Sequence, residues 1–278
     1  MNKYMPAAGT LLYGAGGAGK TGLAVSAFWD WMFGKPVADG KLISFGAEDN
    51  PALEIPEEFR QTQNGTSLRL TSPLLDSTEF LQQFDLITRK LIYDAENGDK
   101  LDVLVIDGLS EFDLLYEHTF DTGDDEKGNF AKWDGLLNQM FSMMLRIMPS
   151  VLGCAVITTA RVMEKKKSKQ SGKTTMAGDP GWMDFDYYPS LRGSFRLHLP
   201  HYFQNVFYME TVPEQAEDGQ VIPGHATHLI TQGEYLTKCQ WEHKLLKAGL
   251  TRPVVNLMWP ELWAMLTQAI DTKTQGEA

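Results

Sequence analysis

Residues 14–21 constrain this chain more than any other segment. They read Gly-Ala-Gly-Gly-Ala-Gly-Lys-Thr and match the pattern G-x-x-x-x-G-K-[ST] in full. An apolar run over residues 10–13 precedes the match, and a helix-compatible segment from Gly22 follows it. A strand, a glycine-rich loop and a helix in this order form the local structure that the motif requires. The pattern therefore predicts a phosphate-binding loop in an α/β domain.

Each residue type in this loop has a chemical role. Glycine lets the backbone adopt positive φ angles and lets N–H groups approach phosphate oxygens, so the loop forms an anion nest at the start of a helix. Lys20 is placed to reach the β- and γ-phosphates, and Thr21 offers a hydroxyl to Mg²⁺. A nucleoside triphosphate with Mg²⁺ is the predicted ligand. The predicted contact residues are Gly14, Ala15, Gly16, Gly17, Ala18, Gly19, Lys20, Thr21 and Gly22.

The overall charge limits the classes of partner. The 278 residues carry a formal net charge of −11, which is not typical of a protein that coats duplex DNA, so any contact with nucleic acid needs a local basic patch. Two cysteines are too few for a disulfide framework. Neither a signal peptide nor an apolar run long enough to span a bilayer is visible. We therefore expect a cytoplasmic protein with no membrane partner.

Strand-like and helix-like runs alternate along the chain, which predicts a mostly parallel sheet with helices on both faces. Predicted strands cover residues 10–13, 41–45, 67–70, 101–106 and 154–159, with a late β-hairpin from 205–212 and 225–231. Predicted helices cover residues 20–33, 77–97, 131–148 and 259–270. Residues 1–240 are expected to form the core, with a long basic and aromatic loop over 161–197. Residues 241–278 are expected to form a C-terminal helical segment and a polar tail.

A second acidic position completes the predicted metal site. Asp107 ends the apolar run 103–106, so it is expected at the carboxyl edge of the sheet beside Thr21, where it would hold Mg²⁺ through a water molecule. The alternative is that Asp107 only caps the next segment. The metal interpretation is favoured because a complete phosphate loop lies upstream.

Four further positions are candidates for the hydrolytic step. Glu48, just past the second strand, would orient and activate the attacking water, although its neighbour Asp49 is an alternative and both are otherwise solvated loop acids. Thr158 and Thr159 close a central strand at the same edge, where a hydroxyl can report the state of the γ-phosphate. The alternative is that both are only polar residues at a strand end. The predicted catalytic residues are Lys20, Glu48, Asp107 and Thr159.

This order of parts resembles the RecA-type ATPase core rather than a nucleotide kinase. More closely, the chain resembles phage-encoded P-loop nucleotide-binding proteins, a group that includes the RecA-core single-strand annealing ATPases of the Sak type. The resemblance lies in residues 11–21, 103–109, 156–161, 187–193 and 201–206, and it extends to about Lys238. Only the phosphate loop is specific to such proteins by itself. The other segments support the resemblance through their order along the chain.

The resemblance implies a Mg²⁺-dependent, DNA-stimulated ATPase that binds single-stranded DNA and assists annealing in phage recombination, in the host cytoplasm. It also implies homo-oligomers with ATP at subunit interfaces, and a single-strand DNA-binding protein as a further candidate partner. The family places a Lys-x-Arg element near the last strand to supply trans-acting cations. Here Lys238 is present but Gln240 replaces the arginine, and Thr159-Ala160-Arg161 stands where family members often carry His or Gln.

A basic segment follows the strand that ends at Thr159. Residues 161–173 contain six cationic side chains and one acidic side chain, Glu164, so the net charge of the segment is six minus one, or +5. Such a segment suits contact with a single-stranded backbone without sequence readout, and the aromatic residues Trp182, Phe185, Tyr187 and Tyr188 would stack on bases. The alternative is a solvated surface loop. The candidate DNA-binding residues are Arg161, Lys165, Lys166, Lys167, Lys169 and Lys173.

Two other functions are compatible with a phosphate loop. A nucleotide-dependent switch or motor ATPase would control a protein partner, with Trp259 and Trp263 of the last helix as a docking face, although core packing is the alternative for both. A small-molecule kinase is less well supported. Kinase lids clamp phosphates with several arginines, and here only Arg161 and Arg192 flank a lysine-rich segment.

Overall fold

A computed structural model provides the structure of the protein. It describes residues 8–45, 62–63, 66–67, 77–119, 138, 141–164, 187–191, 193–215, 221–230 and 235–271. The strands are β1 (Gly9–Gly14), β2 (Trp29–Asp30), β3 (Lys35–Pro36), β4 (Gly40–Ser44), β5 (Thr62–Gln63), β6 (Thr66–Ser67), β7 (Val103–Asp107), β8 (Ala155–Glu164), β9 (Tyr187–Pro189), β10 (Asn205–Gln215), β11 (Val221–His228) and β12 (Val254–Val255). The helices are α1 (Lys20–Val25), α2 (Ser77–Glu96), α3 (Leu109–Thr119), α4 (residues 141–146), α5 (Pro149–Leu152), α6 (Gly193–Tyr202), α7 (Glu242–Lys247) and α8 (Trp259–Asp271).

The main sheet has β1 at its centre. Its strand order is β12-β11-β10-β1-β8-β7-β4, and β9 pairs with β8 off this path. Strands β4, β7, β8, β1 and β10 are parallel, whereas β11, β12 and β9 pair antiparallel to their neighbours. Because parallel strands share one carboxyl edge, the segments after β1, β4 and β7 meet there. The predicted mostly parallel α/β sheet and its late β-hairpin, here β10–β11, are confirmed.

Two hydrophobic cores cover the two faces of the sheet. Successive side chains of a strand point to opposite faces, so Leu11 and Tyr13 enter one core and Leu12 enters the other. The first core receives α2, α3 and α4, and the second receives α1, α7 and α8. The methionines Met143, Met144 and Met148 are buried in the first core.

Helix α1 ends at Val25, so the predicted helix over residues 20–33 is wrong beyond this point. The Phe28 carbonyl accepts hydrogen bonds from the N–H groups of Val37 and Ala38 over 2.9 and 3.4 Å. The Phe28 side chain is fully buried against Gly40, where no side chain would fit. The chain therefore turns back after α1 and forms the hairpin β2–β3.

The segment that was predicted as a loop over residues 161–197 contains regular structure at both ends. Strand β8 continues to Glu164, where β9 pairs with it, because Tyr187 to Pro189 supply an antiparallel partner. Helix α6 then begins at Gly193. Residues 165–186 lie outside the described residues.

The last helix belongs to the second core. Trp259 and Trp263 of α8 are only 4% and 8% exposed, and the backbone N–H of Trp259 donates a hydrogen bond to the Ser26 hydroxyl over 2.8 Å. The core-packing interpretation of these tryptophans is therefore correct, and the docking face proposed for them is absent. None of the described helices has the length and apolar character needed to cross a membrane.

Candidate nucleotide-binding site

The glycine-rich loop joins the end of β1 to the start of α1. Gly17 and Gly19 have φ angles of 75° and 80°, a left-handed conformation that glycine adopts without strain. At Gly14 the chain passes so close to the Met209 carbonyl of β10 that a Cβ atom would collide with it. Ala15 to Gly17 are exposed. The loop conformation therefore depends on glycine at particular positions and leaves its tip open to a ligand.

The Lys20 ammonium lies inside this loop. It donates hydrogen bonds to the carbonyl oxygens of Gly14 over 3.0 Å and Ala15 over 2.7 Å. Burial lowers the pKa of Lys20, while the nearby carboxyl groups of Asp107 and Glu111 act in the opposite direction. A partly desolvated cation whose hydrogen bonds go to neutral carbonyls of the loop is suited to exchange them for phosphate oxygens.

The Asp107 carboxylate ends β7 and faces the start of α1. It accepts hydrogen bonds from the Thr21 hydroxyl over 2.9 and 3.1 Å and from the Thr159 hydroxyl over 2.5 Å. Burial raises the pKa of Asp107, and these two hydroxyl donors lower it. The Thr159 hydroxyl also accepts a hydrogen bond from the Gly108 N–H over 2.9 Å. Lys20, Thr21, Asp107 and Thr159 therefore form one cluster at the carboxyl edge of the sheet.

The donor chemistry of this cluster suits Mg²⁺. No group of three His, Cys, Asp or Glu side chains that could hold a metal occurs among the described residues. Magnesium does not need one, because it is commonly bound by one or two carboxylates together with substrate phosphates and water. Asp107 and Thr21 already lie within hydrogen-bond distance and supply oxygen ligands of this kind.

Thr158 lies apart from the cluster. Its side chain is fully buried, and its hydroxyl is 3.5 Å from the Thr10 carbonyl oxygen. Successive residues of β8 point to opposite faces, so only Thr159 reaches Asp107. Of the two threonines predicted at this strand end, Thr159 is the one beside the phosphate loop.

Arg161 lies at the margin of the site with a partner that the sequence did not indicate. It pairs in register with Gly14, and its guanidinium forms an ion pair with Glu111 over 2.5 Å. The Arg161 N–H donates to the Ser110 hydroxyl, and its carbonyl accepts from the Ser190 N–H. Glu111 was missed by the sequence reasoning. Its position four residues after Asp107 in a new helix is the signal that would have found it.

Lys238 lies far from the phosphate loop of its own chain. It pairs with Val206 near the start of β10, whereas the loop follows the end of β1, which runs parallel to β10. Its ammonium donates hydrogen bonds to the carbonyls of Phe203 over 2.8 Å and His201 over 3.4 Å. Burial lowers the pKa of Lys238.

Several predicted site residues fall outside the described residues. They are Glu48, Asp49, Lys165, Lys166, Lys167, Lys169, Lys173, Trp182, Phe185 and Arg192. Tyr187 is described, and its ring packs against those of Tyr208 and Tyr235 at centroid distances of 6.1 and 5.3 Å.

Comparison with known proteins gives a distant structural likeness. Neither a protein-family model nor a curated protein matches the chain. Among solved structures, the chain is similar to the RadB recombinase, with 12% sequence identity, 81% of each chain covered and a TM-score of 0.37.

Proposed function

We propose that this chain is an ATP-binding protein and a Mg²⁺-dependent ATPase. The observation that carries the proposal is the contact of Thr21 and Thr159 with the half-buried Asp107 carboxylate beside Lys20. Four residues from three separate segments of the chain converge at one sheet edge, directly after a glycine loop with an open tip. A glycine-rich turn without a ligand would not require a half-buried carboxylate beside a half-buried lysine.

Each residue of the cluster would have a separate role in binding the nucleotide and Mg²⁺. Thr21 and Asp107 would hold Mg²⁺, which neutralises charge on the phosphates. Lys20 would exchange the carbonyls of Gly14 and Ala15 for phosphate oxygens. Thr159 would keep the Asp107 carboxylate in place through its link to the Gly108 N–H.

Activation of the attacking water is assigned to Glu48, with Asp49 as the alternative. Both acids follow β4, whose last residue, Ser44, pairs in register with Asp107. The variants Glu48→Gln and Asp49→Asn separate the two assignments. We expect Glu48→Gln to lower kcat by about 100-fold with ATP affinity unchanged, since general-base catalysis contributes roughly 10²–10⁴-fold. A loss of this size in Asp49→Asn alone would assign the role to Asp49.

We further propose that the protein binds single-stranded DNA and uses ATP hydrolysis to assist strand annealing in phage recombination. The support is the +5 segment, which begins at Arg161 directly beside the nucleotide site in an otherwise acidic chain. Homo-oligomers would place ATP at subunit interfaces. Lys238 would then act on the nucleotide of a neighbouring subunit, because in its own chain it lies near the other end of β10.

The test is ATP hydrolysis by the wild-type chain with and without single-stranded DNA. Lys20→Ala is the inactive variant, and Lys100→Ala, which replaces an exposed lysine outside the site, is its matched control. Stimulation by DNA in the wild type and the control, but not in Lys20→Ala, supports the proposal. Phosphate transfer to a small acceptor, or tight ATP binding without turnover under either condition, overturns it.

A further inference from the structure

The imidazole of His225 in β11 lies directly against the phosphate loop. A Cβ atom added to Gly19 would be only 2.7 Å from Cγ and 2.8 Å from Cδ2 of the His225 ring. Gly19 is the residue before Lys20, and its φ of 80° sets the direction in which the chain enters α1. The ring therefore occupies the space beside the residue on which the geometry of Lys20 and Thr21 depends.

The hairpin β10–β11 also contacts the loop at a second point. Thr211 pairs in register with His225, and its hydroxyl donates a long hydrogen bond of 3.4 Å to the Gly17 carbonyl. Asp107 and Thr159 lie on the other flank of β1, on β7 and β8. The loop is thus held between the metal-binding cluster on one side and this hairpin on the other.

The backbone of His225 is fixed by Asn256. The His225 N–H donates to the Asn256 side-chain oxygen over 2.7 Å, and the Asn256 N–H donates to the His225 carbonyl over 2.8 Å. Asn256 also donates to the Glu214 carboxylate of β10. Asn256 has a φ of 52°, and it is the one residue other than glycine with positive φ among those the structure describes. Such a conformation persists where surrounding contacts determine it.

The contact between the His225 ring and Gly19 is a steric, van der Waals contact. The ring nitrogen Nδ1 of His225 is buried and has no hydrogen-bond partner within the described part of the chain. A polar atom buried in this way costs stability. The ring therefore contributes its bulk at this position, rather than a hydrogen bond to the loop.

We propose that His225 is a positioning residue that holds the phosphate loop in its nucleotide-binding conformation. Asn256 in turn fixes the backbone of His225 through its two hydrogen bonds. The proposal rests on the proposed function, since it concerns how the same loop binds phosphates. Loss of the ring would let Gly19 relax into the vacated space and move the N–H groups and Lys20 out of place. In a well-organised active site, a displacement of groups by about 1 Å can lower the reaction rate by as much as 100-fold.

The test compares the affinities of wild type, His225→Ala and His225→Phe for Mg²⁺-ATP and for inorganic tripolyphosphate by calorimetry. His243→Ala, which removes an exposed histidine of α7, is the matched control. We expect His225→Ala to bind both ligands about tenfold more weakly. His225→Phe keeps the ring and should restore both affinities to within about threefold, with cooperative thermal unfolding in every variant.

Tripolyphosphate separates loop positioning from a contact with the nucleoside. If His225→Ala weakens ATP but not tripolyphosphate, or if it binds both as the wild type does, the inference is wrong while the proposed function stands. Failure of His225→Phe to restore binding, despite cooperative unfolding, would also overturn it. If the wild type and Lys20→Ala bind neither ligand, the proposed function itself fails.

Discussion

The Thr159 hydroxyl donates a hydrogen bond to the Asp107 carboxylate over 2.5 Å and accepts one from the Gly108 N–H over 2.9 Å. One hydroxyl on β8 therefore joins the carboxylate at the end of β7 to the backbone that follows it. This arrangement fixes the carboxylate at the carboxyl edge of the sheet, on the side where Thr21 approaches it. The candidate metal site thus depends on a strand that lies between β1 and β7.

The substitution Thr159→Val tests this arrangement. It leaves the Gly108 N–H without its partner and frees one side of the Asp107 carboxylate. Loss of a partner for a buried polar group costs about 1–3 kcal/mol, so we expect the free energy of unfolding to fall by this amount in urea titrations. ATP affinity in the presence of Mg²⁺ should fall by about tenfold, the equivalent of about 1.4 kcal/mol.

Thr158→Val is the matched control, because Thr158 is the adjacent buried threonine and its hydroxyl makes only a long contact of 3.5 Å with the Thr10 carbonyl oxygen among the described residues. It should leave ATP affinity unchanged. Equal losses of affinity in both variants would mean that the hydroxyl contact with Asp107 has no special role.

Removal of the partly buried charge at Asp107 should stabilise the nucleotide-free protein. Burial raises the pKa of Asp107 above its ordinary value of 3.8. At a pH between 3.8 and the raised pKa, the folded protein therefore binds more protons than the unfolded chain. This carboxyl group therefore lowers the free energy of unfolding as pH rises through that window. We expect Asp107→Asn to be more stable than wild type near neutral pH and the difference to shrink as pH falls towards 4.

Urea denaturation of both proteins between pH 4 and pH 8, without nucleotide, measures this effect. A stability difference that does not change with pH would contradict the raised pKa. The same variant should lose Mg²⁺-dependent ATP hydrolysis, since asparagine lacks the charge that would hold the metal.

Neutralising part of the basic segment should weaken DNA binding in a salt-dependent way. The triple variant Lys165→Gln, Lys166→Gln, Lys167→Gln removes three of the six cations. For single strands, each phosphate contact contributes about 0.7 to the slope of log affinity against log salt, so the slope should decrease by about 2. Fluorescence titration of a labelled oligonucleotide at several salt concentrations measures it.

A second triple variant provides the control with the same change in net charge. Lys35→Gln, Lys90→Gln, Lys100→Gln removes three exposed lysines outside the segment. Its salt slope should match that of wild type. If both triple variants lose the same affinity, overall charge rather than the segment governs DNA binding.

The C-terminal helix is expected to contribute to the stability of the whole fold. Trp263 is 8% exposed and packs edge-to-face against Trp241 at a centroid distance of 5.1 Å. Trp263→Ala should lower the free energy of unfolding by about 3–5 kcal/mol, as truncation of a buried tryptophan does. Trp31→Ala, at a position that is 38% exposed, should change it by about 0.5 kcal/mol or less. Similar small losses in both variants would contradict the packing of α8.

The sequence predicted the parts of the fold that carry local signals. The glycine pattern placed the phosphate loop between β1 and α1, and the apolar run before Asp107 identified β7. Helix α1 was predicted to be too long because its apolar pattern continues past Val25. The chain turns instead where Phe28 packs against Gly40, and such a tertiary contact has no local signature.

The parts of the site that the sequence did not predict depend on contacts between distant segments. Glu111 approaches Arg161 because α3 starts beside the end of β8. His225 is one of two histidines in β11, and the fact that it covers Gly19 follows only from the placement of the β10–β11 hairpin beside β1. Residues of this kind are found by sheet order rather than by spacing along the chain.

The central claim is that Lys20, Thr21 and Asp107 form a Mg²⁺-dependent nucleotide site. Calorimetric titration of ATP into wild type and Lys20→Ala, each with Mg²⁺ and with EDTA, tests it most directly. We predict that wild type binds ATP tightly only with Mg²⁺ and that Lys20→Ala binds about 100-fold more weakly, the equivalent of about 2.7 kcal/mol. Equal ATP affinity in the two proteins, or tight binding that EDTA does not reduce, would contradict the claim.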